Sequence, residues 1–166
     1  TSLEAGADYL ILDEGEITLP MFVEAIQNGE SQGIFRANGE KPDVSHTPVP
    51  RFDLLELDAY DSMSVQFSRG CPFQCEFCDI IVLYGRKPRT KTPQQLLAEL
   101  DCLYQLGWRR AIFMVDDNFI GNKRNVKLLL QELKVWMAEH QYPFAFNTEA
   151  SVDLGQDAEL MQLMVE

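Results

Sequence analysis

The chain has 166 residues, of which 46% are hydrophobic, and its formal net charge is −12 at pH 7. This length and apolar content are enough for a core of single-domain size. The acidic balance argues against a broad nucleic-acid-binding surface, so no nucleic-acid partner is expected. The sequence has no run of about 18 apolar residues, and no transmembrane helix is predicted.

The cysteines predict the compartment of the protein, and the two chain ends indicate whether the chain is part of a longer one. The first residues show neither the basic leader nor the cleavage pattern of a signal peptide. Three of the four cysteines are clustered, which fits a reducing compartment, and we predict a cytoplasmic location. Because the sequence begins without methionine and stops inside a helical pattern, we expect a piece of a longer protein.

The N-terminal part predicts a strand, a helix and a hairpin. Residues 8–13 read as a buried strand. A helix is predicted from Thr18, as its N-cap, to Asn28, with Pro20 in the first turn. Residues 33–39 predict a hairpin around an Asn-Gly turn.

A proline-rich stretch divides the chain. Residues 42–52 hold three of the eight prolines and predict an extended linker. We therefore divide the chain into an N-terminal piece (residues 1–41), a connector (42–60) and a second domain (61–166).

The second domain repeats a strand followed by a helix. The predicted elements are strands at 62–67, 111–115 and 144–147, and helices at 92–106, 122–140 and from Asp157 onward. The first of these helices opens with a capping-box pattern from Thr92 to Gln95. Strands that alternate with such helices indicate an α/β fold with a parallel sheet. Three units make a partial (βα) barrel, since a closed eightfold barrel needs more chain.

Three cysteines follow the first strand of this domain at the spacing C-x₃-C-x₂-C, namely Cys71, Cys75 and Cys78. Three thiolates are one short of a closed zinc site, and they suit an iron–sulfur cluster with one open iron. Two alternatives stay open. An electron-transfer iron–sulfur protein would need a fourth ligand such as Cys102, which reads as a buried hydrophobe. A zinc-binding interaction module would need histidine ligands, and His46 and His140 both read as solvated side chains.

The cysteine run resembles the signature of radical S-adenosylmethionine (SAM) enzymes, including the aromatic Phe77 just before the third cysteine. The resemblance implies a [4Fe–4S] cluster on Cys71, Cys75 and Cys78, with SAM on the fourth iron and Phe77 beside the adenine. It also implies that an external electron donor reduces the cluster and that SAM is cleaved to a 5′-deoxyadenosyl radical. The resemblance assigns no residue that acts on the substrate.

Acidic residues at the next two strand ends are candidate SAM contacts. Asp116 and Asp117 stand where the family contacts the SAM amino group, often through a Gly-Gly-Glu run that this chain lacks. Glu149 ends the third strand and is a further candidate. The alternative is that Asp117 and Asn118 cap the following helix and that Glu149 is a solvated turn carboxylate.

The N-terminal piece resembles the last, Rossmann-like βα unit of a cobalamin-binding domain, which often precedes the radical SAM barrel. The Asp-x-His-x-x-Gly cobalamin-ligand motif is absent, so we do not expect this piece to bind cobalamin by itself. Cobalamin is a candidate cofactor of the full-length parent.

The runs 62–80 and 148–154 are most similar to a subgroup containing hopanoid C-methylases. This resemblance implies methylation of an unactivated carbon on a small or lipid-like substrate. Since half of the barrel is absent, we expect the isolated piece to be inactive and to self-associate through its open sheet edge.

Overall fold

The computed structural model describes residues 6–166. The chain divides into two compact units, Thr1–Asp43 and Val44–Glu166. Residues 1–5 lie outside the described part. The predicted N-terminal domain begins in this segment, and the signal-peptide prediction also concerns it. The N-terminal unit consists of β1 (Tyr9–Ile11), α1 (Gly15–Gln27) and β2 (Gly33–Phe35). The two strands pair in parallel, with Tyr9 opposite Gly33.

The predicted start of α1 is wrong by one turn. The helix begins at Gly15 after Glu14, whose backbone is extended and whose carbonyl accepts from the Ile17 N–H over 3.2 Å. Thr18 is buried inside the first turn, and its hydroxyl donates to the Glu14 carbonyl over 3.3 Å. Pro20 therefore lies inside the helix, where it has no backbone N–H to donate to the preceding turn.

The predicted hairpin is also wrong, although its turn forms. Asn38 and Gly39 both have positive φ, 52° and 87°, and the Glu40 N–H donates to the Ala37 carbonyl over 3.0 Å. Residues 40–43 form no strand after this turn. Since β2 already pairs in parallel with β1, its partner lies 24 residues earlier in the chain.

The second unit contains the other helices and strands. Its strands are β3 (Ser62–Val65), β4 (Ser68–Arg69), β5 (Arg89–Thr90), β6 (Ala111–Met114) and β7 (Ala145–Thr148). Its helices are α2 (Ile80–Leu83), α3 (Pro93–Gln105), α4 (Lys123–Glu139) and α5 (Ala158–Val165). Short 3-10 turns lie at Val44–His46, Phe52–Leu54, Leu57–Ala59, Phe119–Asn122 and Val152–Gln156.

A parallel three-stranded sheet forms the centre of this unit. Its strand order is β3-β6-β7, with Ser62 opposite Ala111 and Ala111 opposite Ala145. The predicted α/β class with a parallel sheet of strand–helix units is thus confirmed. The short helix α2 and the antiparallel pair β4–β5, which together flank the cysteine run, were not predicted.

The starts of three helices in the second unit agree with their sequence signals. Thr92 and Gln95 form the predicted capping box, in which each side chain accepts from the other's backbone N–H. Asn122 caps α4 by accepting from the Asn125 N–H over 3.2 Å. Asp157 caps α5 in the same way through the Leu160 N–H. Capping of this kind satisfies N–H groups that have no partner within the helix.

The core lies between the sheet and helices α3 and α4. Its fully buried side chains include Leu96, Leu100, Leu103, Ile112, Val126 and Leu129. Cys102 is partly buried and packs against this core, as predicted for a small hydrophobe. No helix in the described part of the chain is both long enough and apolar enough to cross a membrane.

Candidate metal centre

The predicted cluster ligands lie on one loop, residues 70–79, between β4 and α2. Cys71 and Cys78 are half-buried, Cys75 is exposed, and all three are free thiols. The loop lies beyond the carboxyl end of β3, which is the end of a barrel strand where functional residues gather.

The backbone closes the base of this cysteine loop. Ser68 pairs with Thr90 in the β4–β5 pair, and the Cys71 N–H donates to the Gly85 carbonyl over 3.2 Å. Gly70 has a φ of 98°, and a Cβ at this position would lie 2.8 Å from the Gly85 carbonyl oxygen. Both the left-handed backbone and the close approach therefore require glycine. These contacts fix the position of Cys71 relative to the sheet.

The donor set fits a cluster better than a single metal ion. Within residues 6–166, no group of three or more His, Cys, Asp or Glu side chains is placed to hold one ion. An iron–sulfur cubane makes a different demand, because each thiolate binds a separate iron. Three unpaired thiols on one loop meet that demand in number and chemistry, and they leave one iron for another ligand.

The two histidines weighed as zinc ligands lie in other settings. His46 is exposed, as predicted. His140 is not a solvated side chain, because it stacks on Trp136 with ring centroids 4.1 Å apart. Its Nδ1 lies 2.8 Å from the Trp136 carbonyl oxygen, and its Nε2 lies 3.6 Å from the Asp101 carboxylate. Aromatic stacking at the end of α4 therefore explains the position of the His140 ring.

Phe77 and Glu149, two of the predicted SAM contacts, are exposed. The Phe77 side chain is 90% exposed, so the ring is accessible to a ligand. Glu149 follows β7, and its backbone carbonyl accepts from the Phe119 N–H over 3.0 Å. This bond joins the ends of β7 and β6. The predicted contacts of Phe77 and Glu149 with SAM stay predictions.

The other two predicted SAM contacts face the entry to the cysteine loop. Asp116 is 3% exposed, and its carboxylate accepts from the Phe67 N–H, the Ser68 N–H and the Ser68 hydroxyl over 2.6–2.8 Å. Burial raises the pKa of Asp116 to about 6, against the opposing effect of these hydrogen bonds. Asp117 is half-buried, and one of its oxygens accepts from the Gly70 N–H over 3.0 Å. A SAM contact by either aspartate stays a prediction.

Asn118 is a site residue that the sequence did not identify. It is 4% exposed, and its Nδ2 lies 4.0 Å from the Cys71 Sγ and donates to the Ser151 hydroxyl over 3.0 Å. Its Oδ1 accepts from the Ser151 N–H over 3.2 Å. The alternative that Asn118 caps a helix is wrong, since Asn122 caps α4. The available signal was its position directly after two strand-end aspartates.

Comparison with protein families defines the class of this chain. Residues 65–166 match the family model of the radical SAM superfamily. The match covers more than half of the chain and includes the three cysteines and residues 116–118. The chain belongs to the radical SAM superfamily.

Several relatives are named as methylases. The chain is 82% identical over 162 residues to an uncharacterized methyltransferase of Synechocystis sp., covering 98% of this chain and 30% of that protein. It is 37% identical over 163 residues to the hopanoid C-2 methylase of Rhodopseudomonas palustris, covering 96% and 31% of the two chains. It is 31% identical over 126 residues to the hopanoid C-3 methylase of Methylococcus capsulatus, covering 66% and 24%.

These matches confirm the resemblance to radical SAM enzymes and to their hopanoid C-methylase subgroup. The chain spans less than a third of the length of these relatives. The cobalamin-binding-type domain stays a prediction.

Proposed function

We propose that the whole protein is a radical SAM methylase that carries a [4Fe–4S] cluster on Cys71, Cys75 and Cys78. The observation that carries this proposal is the loop of three free thiols at the carboxyl end of β3, in a chain of the radical SAM superfamily. When bound, the cluster would supply the electron that cleaves SAM reductively. An external donor would deliver that electron.

The residues around the loop have separate roles in this proposal. The three thiolates would hold the cluster and would leave one iron open to SAM. The exposed Phe77 ring offers a surface for the adenine. Asp117, half-buried beside the loop, is the better candidate of the two aspartates for the SAM ammonium, because both oxygens of Asp116 already accept from backbone or hydroxyl donors. Glu149 is the candidate from the third strand.

The proposed substrate class comes from the relatives. Two of them are named as hopanoid C-methylases, which supports methylation of an unactivated carbon on a lipid-like molecule.

The parallel β1–α1–β2 unit supports a Rossmann-like, cobalamin-binding-type domain ahead of the barrel, with cobalamin as a cofactor of the whole protein. We place the protein in the cytoplasm. The sheet β3-β6-β7 would form the first part of the barrel, and the 166-residue chain alone would be inactive.

Anaerobic reconstitution with iron and sulfide tests the proposal. The whole protein should gain a broad visible absorption band and, with a strong reductant and SAM, release 5′-deoxyadenosine. Replacing Cys71, Cys75 and Cys78 together by alanine should abolish both signals. Cys102→Ala is the matched control, because this thiol packs against the core and should leave iron content unchanged.

Other outcomes would decide against the proposal. Unchanged iron content in the triple variant would refute it. Loss of the cluster on Cys102→Ser would favour an electron-transfer protein with four cysteine ligands. Stoichiometric zinc without iron in anaerobically purified protein would favour a zinc-binding module.

A further inference from the structure

Three consecutive residues after β6 contact three different points of the segment that leads into the cysteine loop. The Asp116 carboxylate accepts hydrogen bonds from Phe67 and Ser68, and the Asp117 carboxylate accepts one from Gly70. The Asn118 amide lies close to the Cys71 sulfur. These contacts join residues 47–49 positions apart in the chain. A run of polar side chains thus follows the backbone of β4 up to the first cysteine.

The innermost contact is buried. Asp116 and Ser68 are each 3% exposed, and the Asp116 carboxylate accepts three hydrogen bonds there. Burying a carboxylate is costly unless hydrogen bonds compensate. The two backbone donors fix the path of residues 67 and 68, where the chain leaves β3 and enters β4. Asp116 therefore sets the direction in which the loop begins.

The outer contacts reach the ligand itself. Gly70, which donates to Asp117, directly precedes Cys71, so this bond fixes the peptide that carries the first thiol. Asn118 lies beside the Cys71 sulfur, and the buried amide is held in place by two bonds to Ser151. Amide donors near a ligand sulfur tune the reduction potential of iron–sulfur clusters.

A further set of bonds holds Ser151 itself. Its hydroxyl donates to the Asp153 carboxylate, and Asp153 pairs with Lys123 over 2.7 Å. The position of Asn118 is therefore set from the segment after β7 as well as from β6. Asn118 therefore links the segments that follow β6 and β7 and lies beside Cys71.

We infer that Asp116, Asp117 and Asn118 form a latch that positions Cys71 for cluster binding and that tunes the bound cluster through the Asn118 amide. The inference rests on the proposed function, because it requires Cys71 to be a cluster ligand. In this role the three latch residues act on the cluster through Cys71 and its backbone, and they are positioning residues; it is separate from the SAM contact proposed for Asp117. The competing explanation is that they only stabilise the junction between β3 and β6.

The test uses the whole protein and three variants, Asp116→Asn, Asp117→Asn and Asn118→Ala. Asp157→Asn is the matched control, since it also weakens a backbone N–H acceptor but lies at the start of α5. Hydrogen exchange of the metal-free protein comes first. Exchange should accelerate at the Phe67 and Ser68 amides in Asp116→Asn and at the Gly70 amide in Asp117→Asn.

The second measurement follows the reconstituted cluster. Residues that orient a metal ligand typically contribute about tenfold or more to metal affinity, so we expect about tenfold faster iron loss to a chelator in the variants. Asn118→Ala should also shift the reduction potential and the visible spectrum of the cluster. A residue that only stabilises the fold would change neither, once the variants are matched to the control in thermal stability.

The outcomes separate the two proposals. If the wild type takes up no iron, the proposed function fails, and the role of Cys71 as a ligand fails with it. If the wild type binds a cluster and all three variants retain iron and potential like Asp157→Asn, the latch alone is refuted. Should Asp116→Asn fail to fold, Asp117→Asn and Asn118→Ala still decide, because neither removes the buried carboxylate.

Discussion

Asp116 gives the stability of the second unit a specific dependence on pH. Burial raises the pKa of this carboxyl from 3.8 in the reference state to about 6 in the folded chain. Between these values the unfolded chain loses the Asp116 proton while the folded chain keeps it. The contribution of Asp116 to stability is therefore fully present below pH 4 and is lost as the pH rises through about 6. A shift of this size corresponds to about 3 kcal/mol.

Asp116→Asn isolates this contribution, because asparagine has the same shape and does not titrate. Stability would be measured by denaturant unfolding at several pH values, followed by the fluorescence of Trp108 and Trp136, which both lie in the second unit. The wild type should lose about 3 kcal/mol relative to the variant between pH 4 and pH 7. Charged pairs elsewhere, such as Lys123 with Asp153, are common to both proteins and cancel in the difference.

The sign of this difference is the decisive result. A wild type that gains stability over Asp116→Asn as the pH rises would refute the reasoning. It would mean that the donors from Phe67 and Ser68 outweigh burial and hold the folded pKa below 3.8. If the difference in stability between wild type and Asp116→Asn does not change with pH, burial and the hydrogen bonds have equal and opposite effects on the pKa of Asp116.

Three further predictions concern other parts of the chain. Gly70→Ala should destabilise the protein by about 1–3 kcal/mol and lower its iron content, because the added Cβ meets the Gly85 carbonyl oxygen. The control Gly15→Ala places its Cβ in open space and should change neither stability nor iron content. Lys91→Met should cost about 3–5 kcal/mol in unfolding experiments, because it leaves the buried Glu99 unpaired, and adding Glu99→Leu should restore stability. The 166-residue chain should sediment as oligomers through β7, one of the two outer strands of its sheet, and Ala145→Lys should weaken this association. A monomer of the unsubstituted chain at high concentration would contradict the prediction.

Local signals in the sequence predicted the framework of the second unit. The capping box at Thr92 and the cap at Asp157 depend on residues three positions away, so a short stretch of sequence contains all the information. The same is true of the cysteine run, whose spacing matches the radical SAM signature. The wrong hairpin after β2 shows the limit, because an Asn-Gly turn fixes its own geometry but not the pairing of the strand before it.

The surroundings of the cysteines could not be predicted in this way. Asp116 and Asp117 were recognised as strand-end residues, yet their partners lie 47–49 positions earlier and depend on the pairing of β6 with β3. Asn118 has no sequence feature that distinguishes a contact with Cys71 from a helix cap. Such contacts follow from the tertiary fold, which decides which polar side chains meet in a buried space.

The long sequence separation of the latch contacts has a consequence for biosynthesis. Asp117 is 47 residues beyond Gly70, so at about 5–20 residues per second the ribosome adds it roughly 2–10 s after the glycine. During this interval the three thiols have been synthesised, but the side chains that hold Cys71 have not. The nascent chain therefore contains free thiols before their supporting strand exists. We expect cluster insertion to follow the pairing of β6 with β3.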